Sequence, residues 1–112
     1  MDWKVLRDEN ELEEIVKKSE ARPQVIFKHS TRCSISRTTL DRLERNWKEE
    51  FPNTKYYFLD LLSYREISNA IVARLEVEHQ SPQVLIVRNG KSVFDRSHFE
   101  IEYEQIKAAL KN

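Results

Sequence analysis

The stretch QVIFKHSTRCSISRTTL, residues 24–40, changes from a strand-like to a helix-like pattern at the only cysteine of the chain. Its first part, Gln24–His29, is an apolar run rich in residues that favour a β-strand. After Cys33 the apolar residues recur at helical spacing, which predicts a helix over residues 34–50 that Pro52 follows. Cys33 is therefore expected between the end of a strand and the start of a helix.

Upstream of this unit, the sequence predicts one more strand and one more helix. Trp3–Leu6 favours a short strand. Residues 10–20 have apolar side chains at helical spacing, with acidic residues early and lysines late, as the helix dipole favours. Asn10 is the expected N-cap of this helix, and Pro23 ends the unit.

Downstream, strands and helices continue to alternate. Lys55–Leu61 predicts a strand too apolar to have one face in water, and residues 63–78 follow with helical periodicity. Residues 82–96 contain two β-rich runs on either side of Asn89-Gly90, a pair that favours a type I′ hairpin because both residues tolerate a positive φ. Residues 102–112 predict an amphipathic helix.

The predicted order of elements is β-α-β-α-β-α-β-β-α. Helices between strands imply parallel crossover connections, whereas the final hairpin adds an antiparallel pair. We therefore expect an α/β fold of the thioredoxin type, with a central mixed sheet, helices on both faces and an extra strand and helix at the N-terminus. A length of 112 residues fits one domain, so a single thioredoxin-like domain is expected over residues 1–112.

The composition excludes several classes of protein. Nineteen basic residues balance nineteen acidic ones, which argues against a nucleic-acid partner. Gly90 is the only glycine, which excludes glycine-rich phosphate loops. Because the sequence has no long apolar run and no apolar N-terminal segment, we expect neither a membrane association nor a secretory signal. A single cysteine fits a reducing compartment, so a cytoplasmic location is expected.

The position of Cys33 predicts a reactive thiol. The first N–H groups of a helix have no intrahelical partner and the helix dipole is positive there, so both favour a thiolate. Arg32 adds a nearby cation, and Thr31, Ser34 and Ser36 add hydroxyls that can hydrogen-bond sulfur. The alternative is an inert core cysteine, which the polar flanks make difficult to build.

Two other residues are candidates for a role at this site. Pro82 begins a predicted strand, and thioredoxin-like folds carry a cis-proline there that faces the cysteine; a trans-proline at a strand start is the alternative. His29 could act as a base or only cap its strand, and the structural role is favoured. Three scattered histidines and one cysteine show no zinc-ligand spacing, so no metal site is expected.

The segments FKHSTRCSIS and SPQVLIVRNGK resemble the YtxJ-type monothiol bacilliredoxins, which are thioredoxin-fold proteins with a T-C-P-I-S active-site pattern. Cys33, Ile35 and Ser36 match the C-x-I-S part of the pattern, and Ser81-Pro82 matches the cis-proline element. The resemblance covers essentially the whole chain.

Two departures from the family pattern lie beside the cysteine. Arg32 stands between Thr31 and Cys33, and Ser34 replaces the usual proline. The loss of that proline is expected to change the first turn of the helix. It leaves the nucleophile in place.

The residues around Cys33 restrict the chemistry to one thiol. Position 36 is serine and the chain has no second cysteine, so Cys33 cannot form an intramolecular disulfide. What remains is exchange, in which Cys33 takes a small thiol from a mixed disulfide and the client protein leaves reduced. The resemblance implies that this small thiol is bacillithiol, acting as a co-substrate with no bound cofactor. The implied partners are S-bacillithiolated client proteins and a low-molecular-weight thiol that clears Cys33.

The resemblance also implies roles for the neighbouring residues. Ser36 is expected to hydrogen-bond the cysteine. The backbone of Ser81, beside Pro82, is expected to align the client in a strand-like manner. Because bacillithiol carries malate carboxylates, we expect Arg32 or Arg37 to bind a carboxylate, and two solvated arginines are the alternative.

Two other functions remain open at this point. One is an iron–sulfur carrier by analogy with monothiol glutaredoxins, although this chain lacks their C-G-F-S motif and their pair of glycines. The other is a redox-sensing binding module whose cysteine is a sensor.

Overall fold

The computed structural model of the chain describes residues 3–111; Met1, Asp2 and Asn112 lie outside the described residues. Its elements, in chain order, are β1 (Trp3–Val5), α1 (Glu9–Lys18), β2 (Gln24–His29), α2 (Ser34–Asn46), β3 (Lys55–Asp60), α3 (Arg65–Leu75), β4 (Gln83–Arg88), β5 (Lys91–Ser97), a 3₁₀ turn (His98–Glu100) and α4 (Tyr103–Lys111). The predicted order of strands and helices is confirmed. The sequence pattern does not predict the 3₁₀ turn.

The strands form one five-stranded mixed sheet in the order β1-β3-β2-β4-β5. The central strand β2 is parallel to β3 and antiparallel to β4, and β5 pairs antiparallel with β4. At one edge of the sheet His29 pairs with Asp60, and Lys28 pairs with Gln83. The carboxyl ends of β2 and β3 and the amino end of β4 therefore meet at this edge, next to residues 30–33.

The sheet has a hydrophobic core on each face, because successive side chains of a strand point to opposite sides. Ile26 of β2 packs on one face with residues of α1 and α3, such as Ile15 and Ile71. Phe27 packs on the other face with residues of α2 and α4, such as Leu43 and Ile106. This confirms the α/β thioredoxin-like architecture with helices on both faces.

The N-terminal cap of α1 differs from the prediction. The helix begins at Glu9, and Asp8 is its N-cap, with the Asp8 carboxylate accepting a hydrogen bond from the N–H of Glu11 at 2.8 Å. Asn10 lies inside the first turn, so the prediction of Asn10 as the cap is wrong. An aspartate two residues earlier provides the same type of acceptor and also favours the positive end of the helix dipole.

Helix α2 is shorter than predicted. It ends at Asn46 rather than at residue 50, and Trp47 has extended backbone angles (φ −70°, ψ 134°). Leaving the helix lets the Trp47 indole pack against Tyr56 and Tyr103, with ring centroids 4.8 Å apart in each pair. The free energy gained from these aromatic contacts exceeds that of one more helical turn.

The other boundaries shift by only a few residues. Strands β1 and β3 each end one residue before the predicted Leu6 and Leu61, and α3 stops where Glu76 adopts a left-handed conformation (φ 55°). The predicted C-terminal helix over residues 102–112 is α4, and its last predicted residue falls outside the described part. Within residues 3–111, no helix is both long enough and apolar enough to cross a bilayer.

The predicted hairpin forms at Asn89-Gly90, where both residues have positive φ (54° and 75°). The turn docks on the end of α1, since Asn89 N–H donates to the Ser19 carbonyl at 2.9 Å and Gly90 N–H donates to Ser19 Oγ at 2.8 Å. This end of β4 is opposite to the end that carries Pro82.

Candidate active site

Cys33 is the N-cap residue of α2, with extended backbone angles (φ −103°, ψ 117°). Its N–H donates to the Ser30 carbonyl and its carbonyl accepts from the Arg37 N–H, each at 3.2 Å. The main chain of the cysteine is thus fixed on both sides. The residue is partly exposed and belongs to neither hydrophobic core.

The charged residues that flank Cys33 most closely in the chain are cationic. The first turn of α2 has no acidic residue, and Arg32 and Arg37 are both exposed beside the cysteine. The positive end of the dipole of a 13-residue helix points at the same place. The sulfur itself makes no side-chain capping hydrogen bond to the helix. An incoming anionic group would meet cations here.

The predicted hydroxyl neighbours of Cys33 separate into two groups. Thr31 and Ser34 are exposed, on the turn before the helix and on its first residue. Ser36 is fully buried, and its Oγ accepts from the Ser30 N–H at 3.1 Å and lies 2.7 Å from Nδ1 of His29. The partners that the structure gives Ser36 are therefore the end of β2 and not the cysteine sulfur.

Ser81 and Pro82 lie beside this turn, at the amino end of β4. The peptide bond between them is cis. Because Lys28 pairs with Gln83 in antiparallel register, Pro82 follows in the register opposite His29. Pro82 is buried, and its carbonyl accepts from the His98 N–H at 3.0 Å, which attaches the 3₁₀ turn to the site.

His29 closes β2 as a buried residue, 6 % exposed, whose ring packs against Phe58 with centroids 5.2 Å apart. Burial, the largest influence, lowers the pKa of His29 below its usual value; Asp60 opposes this shift and Arg37 adds to it. The imidazole is therefore mainly neutral at pH 7. Sequence reasoning noted His29 but did not identify Ser36 as its partner, because the two residues meet only when α2 folds back over β2.

Lys28 is a feature of this edge that sequence reasoning missed. It is 0 % exposed, and its Nζ has no hydrogen-bond partner among the described residues. Desolvation lowers the pKa of Lys28 to about 8. It faces Gln83, whose Nε2 donates to the Glu78 carbonyl at 3.1 Å. A lysine inside a six-residue apolar strand was the signal that could have indicated it.

The described residues contain no group of three or more His, Cys, Asp or Glu side chains that could hold a metal ion.

A mixed sheet of this order, with a lone cysteine capping the helix after the central strand, defines a thioredoxin-fold protein with a one-thiol site. Solved structures agree on the fold. The chain matches a candidate oxidoreductase with a thioredoxin fold at 26% identity and TM-score 0.80, covering 94% of this chain and 90% of the other. It also matches thioredoxin of Fasciola hepatica (17% identity, TM-score 0.73, 96% of each chain) and thioredoxin of Trypanosoma brucei brucei (19% identity, TM-score 0.73, 99% and 93%).

The family is narrower than the fold. The family model described as monothiol bacilliredoxin BrxC matches residues 4–106. The chain belongs to the monothiol bacilliredoxin family. This membership and the thioredoxin-like fold support a thiol redox function.

Proposed function

We propose that this protein removes bacillithiol from mixed disulfides on cytoplasmic client proteins, with Cys33 as its one nucleophile. The proposal depends on which residues occupy two positions of the site. Cys33 is partly exposed at the start of α2, and three residues later, where a dithiol enzyme would need its second cysteine, the chain has Ser36. The family match over residues 4–106 supports bacillithiol as the small thiol.

The exchange proceeds by direct displacement at sulfur. The Cys33 thiolate attacks the bacillithiol sulfur of the client mixed disulfide, the client S–S bond breaks, and the client leaves as a thiolate that takes up a proton. Cys33 is then joined to bacillithiol by a new disulfide. A second low-molecular-weight thiol attacks that disulfide and regenerates the Cys33 thiol. Bacillithiol leaves in a disulfide with the second thiol. No bound cofactor takes part in these steps.

The neighbouring residues have separate proposed roles. Arg32 and Arg37 are exposed next to the cysteine, and one of them binds a malate carboxylate of bacillithiol. Thr31 and Ser34 offer hydroxyls to the thiolate as substrate approaches. The main chain at Ser81, before Pro82, aligns the client segment.

The direct test is the intact mass of the protein after incubation with a bacillithiolated client. We expect one bacillithiol mass on the wild-type protein and a free thiol on the client. Cys33→Ser is the matched control, and it should leave the client modified. A client that stays modified with the wild-type protein would refute the proposal, and a brown, iron-containing protein after anaerobic purification would favour an iron–sulfur carrier instead.

The arginine assignment has its own measurement. We expect Arg32→Ala or Arg37→Ala to raise the KM for a bacillithiol mixed disulfide by up to about fivefold, as for an exposed ion pair. An uncharged disulfide is the control substrate, and its KM should not change. Equal KM values for both variants and the wild type would remove the carboxylate role.

A further inference from the structure

The carboxyl end of β2 and the first turn of α2 share a closed set of hydrogen bonds. Ser36 Oγ lies 2.7 Å from Nδ1 of His29 and accepts from the Ser30 N–H at 3.1 Å. All three residues are buried, and Ser36 is 0 % exposed. The serine that replaces a second cysteine is thus fully engaged, with partners on the strand rather than at the sulfur.

Burial determines where the hydroxyl proton of Ser36 points. Its oxygen already accepts from Ser30, and a buried hydroxyl proton without an acceptor is costly. Nδ1 of His29 is the acceptor within reach, so the ring carries its own proton on Nε2 and is neutral. The lowered pKa of His29, caused first by its burial, agrees with a neutral imidazole.

The same hydrogen bonds reach Cys33 through the main chain. The Cys33 N–H donates to the Ser30 carbonyl at 3.2 Å, so residues 30–33 form a turn whose first residue is held by Ser36. The Cys33 carbonyl accepts from the Arg37 N–H, inside α2. Ser36 therefore ties the strand end before the cysteine to the helical turn after it.

We propose that His29 is a positioning residue for Cys33: by accepting the Ser36 hydroxyl proton, neutral His29 locks the turn that presents the sulfur to a disulfide. The inference rests on the proposed role of Cys33 as the nucleophile. Imidazolium has a proton on Nδ1 and cannot accept another, so acidification deprives the Ser36 hydroxyl of its acceptor and loosens the turn. Exchange at Cys33 is in this way coupled to the protonation of a buried histidine.

Several charged groups face the His29 ring and set the pH at which it responds. Asp60 faces it from β3, and Arg37, Asp41 and Glu44 face it from α2. The three carboxylates favour the imidazolium, while burial and Arg37 oppose it, and the net effect is a lowered pKa. Since these groups act together, the test replaces His29 itself and leaves them in place.

The first comparison is between the wild type and His29→Asn, because an asparagine oxygen stands near the position of Nδ1 and does not titrate. The rate of mixed-disulfide formation between Cys33 and bis(2-hydroxyethyl) disulfide is measured by intact mass over pH 5 to 7.5. This reagent is uncharged throughout. We expect similar rates at pH 7.5, and a ratio of His29→Asn to wild type that rises above one as the pH falls through the pKa of His29.

The second comparison uses variants without the hydrogen bond. At pH 7.5 we expect His29→Leu to react about fivefold more slowly than the wild type, the factor that one hydrogen bond is worth, and Ser36→Ala, which also removes the acceptor of the Ser30 N–H, to react at least as slowly. The double variant should be no slower than Ser36→Ala alone, because His29 acts through the Ser36 hydroxyl. The ratio of His29→Leu to wild type should approach one in acid, where the wild type also lacks the acceptor.

The outcomes separate positioning from simple support of the fold. Ratios that stay flat with pH, or a His29→Asn rate as low as that of His29→Leu at pH 7.5, would overturn the proposal. If His29→Leu does not fold, Ser36→Ala carries the same test, since it removes only a hydroxyl. Because the reagent contains no bacillithiol, the two proposals can fail independently. Failure of the bacillithiol transfer would not change these rate ratios, and rate ratios that stay flat with pH would not argue against the transfer.

Discussion

Lys28 and His29 are neighbours in β2 and both are buried, but they end on opposite faces of the sheet. His29 lies on the face of α2 and α4, and its ring nitrogen meets the hydroxyl of Ser36 at 2.7 Å. Lys28 lies on the face of α1 and α3, and its ammonium nitrogen has no partner among the described residues. Ser36, seven residues further along the chain, supplies a hydrogen bond to the His29 ring, whereas the Lys28 ammonium has none among the described residues.

This difference shows that burial alone does not decide what a polar group contributes. A satisfied group fixes the geometry around it, and an unsatisfied charged group lowers stability through desolvation. The same burial lowers the pKa of both side chains. Only His29 is linked to the main chain of Cys33, so the two residues are expected to affect different properties.

The largest expected effect is on stability, at Lys28. A pKa lowered from 10.5 to about 8 corresponds to a penalty on the order of 3 kcal/mol for the charged form in the folded state. We therefore expect Lys28→Met to raise the free energy of unfolding at pH 7 by a similar amount, as measured in urea. A loss of stability in this variant would mean that the ammonium group has a hydrogen-bond partner in the folded protein. Lys28 would then not differ from His29 in this respect.

The pH dependence of unfolding provides the control for that prediction. Between pH 8 and 10.5 the unfolded chain keeps a proton on Lys28 that the folded chain has lost, so the stability of the wild type should rise across this window. Buried tyrosines act in the opposite direction near its upper end, since the pKa of Tyr56 is raised to about 12. Lys28→Met contains the same tyrosines, and the difference between the two curves isolates the lysine.

The next largest effect is expected at His29. His29→Leu leaves the buried Ser36 hydroxyl without its acceptor, so we expect the free energy of unfolding at pH 7 to fall by about 2 kcal/mol. Because the folded pKa of His29 is below its usual value, the wild type should lose stability as the pH falls below the usual histidine range, and His29→Leu should lose less. Urea unfolding at pH 7 and pH 5 measures both. Parallel losses in the two proteins would show that His29 does not titrate with folding.

The smallest effect is expected at Ser19, a satisfied buried group at the other end of the sheet. Its Oγ accepts from the Gly90 N–H at 2.8 Å and donates to the Val16 carbonyl. We expect Ser19→Ala to lower the free energy of unfolding by about 1 kcal/mol and to leave exchange at Cys33 unchanged. Slower exchange in this variant would indicate that any loss of stability lowers the exchange rate at Cys33. It would then argue against a specific positioning role of His29.

Local patterns were sufficient to predict most of the fold. The change of period at Cys33 located β2 and α2, and Asn89-Gly90 located the hairpin, because turn residues and side-chain spacing are properties of short segments. The larger errors in element boundaries occurred at helix ends. Asp8 caps α1 in place of Asn10, and α2 gives up its last predicted turn so that Trp47 can pack against Tyr56 and Tyr103. Competing caps and distant aromatic contacts are not encoded in the local period.

The site could be predicted in outline only. The sequence indicated Cys33 and the residues around it, and the family match supports a one-thiol redox site. The proposed contributions of Thr31, Ser34 and Ser81 remain predictions, and so does the carboxylate role of Arg32 or Arg37, which the KM comparison tests.

The sequence by itself determined that one thiol sits at a strand-to-helix junction without a second cysteine, because both facts depend only on residue type and order. The tertiary structure decided where the buried polar groups point. Ser36 meets His29, and Lys28 lies opposite Gln83 with no hydrogen bond from its ammonium group, because the surroundings of a side chain depend on how α2 and β4 pack against the central strand. Contacts between segments create those environments, and no single segment contains them.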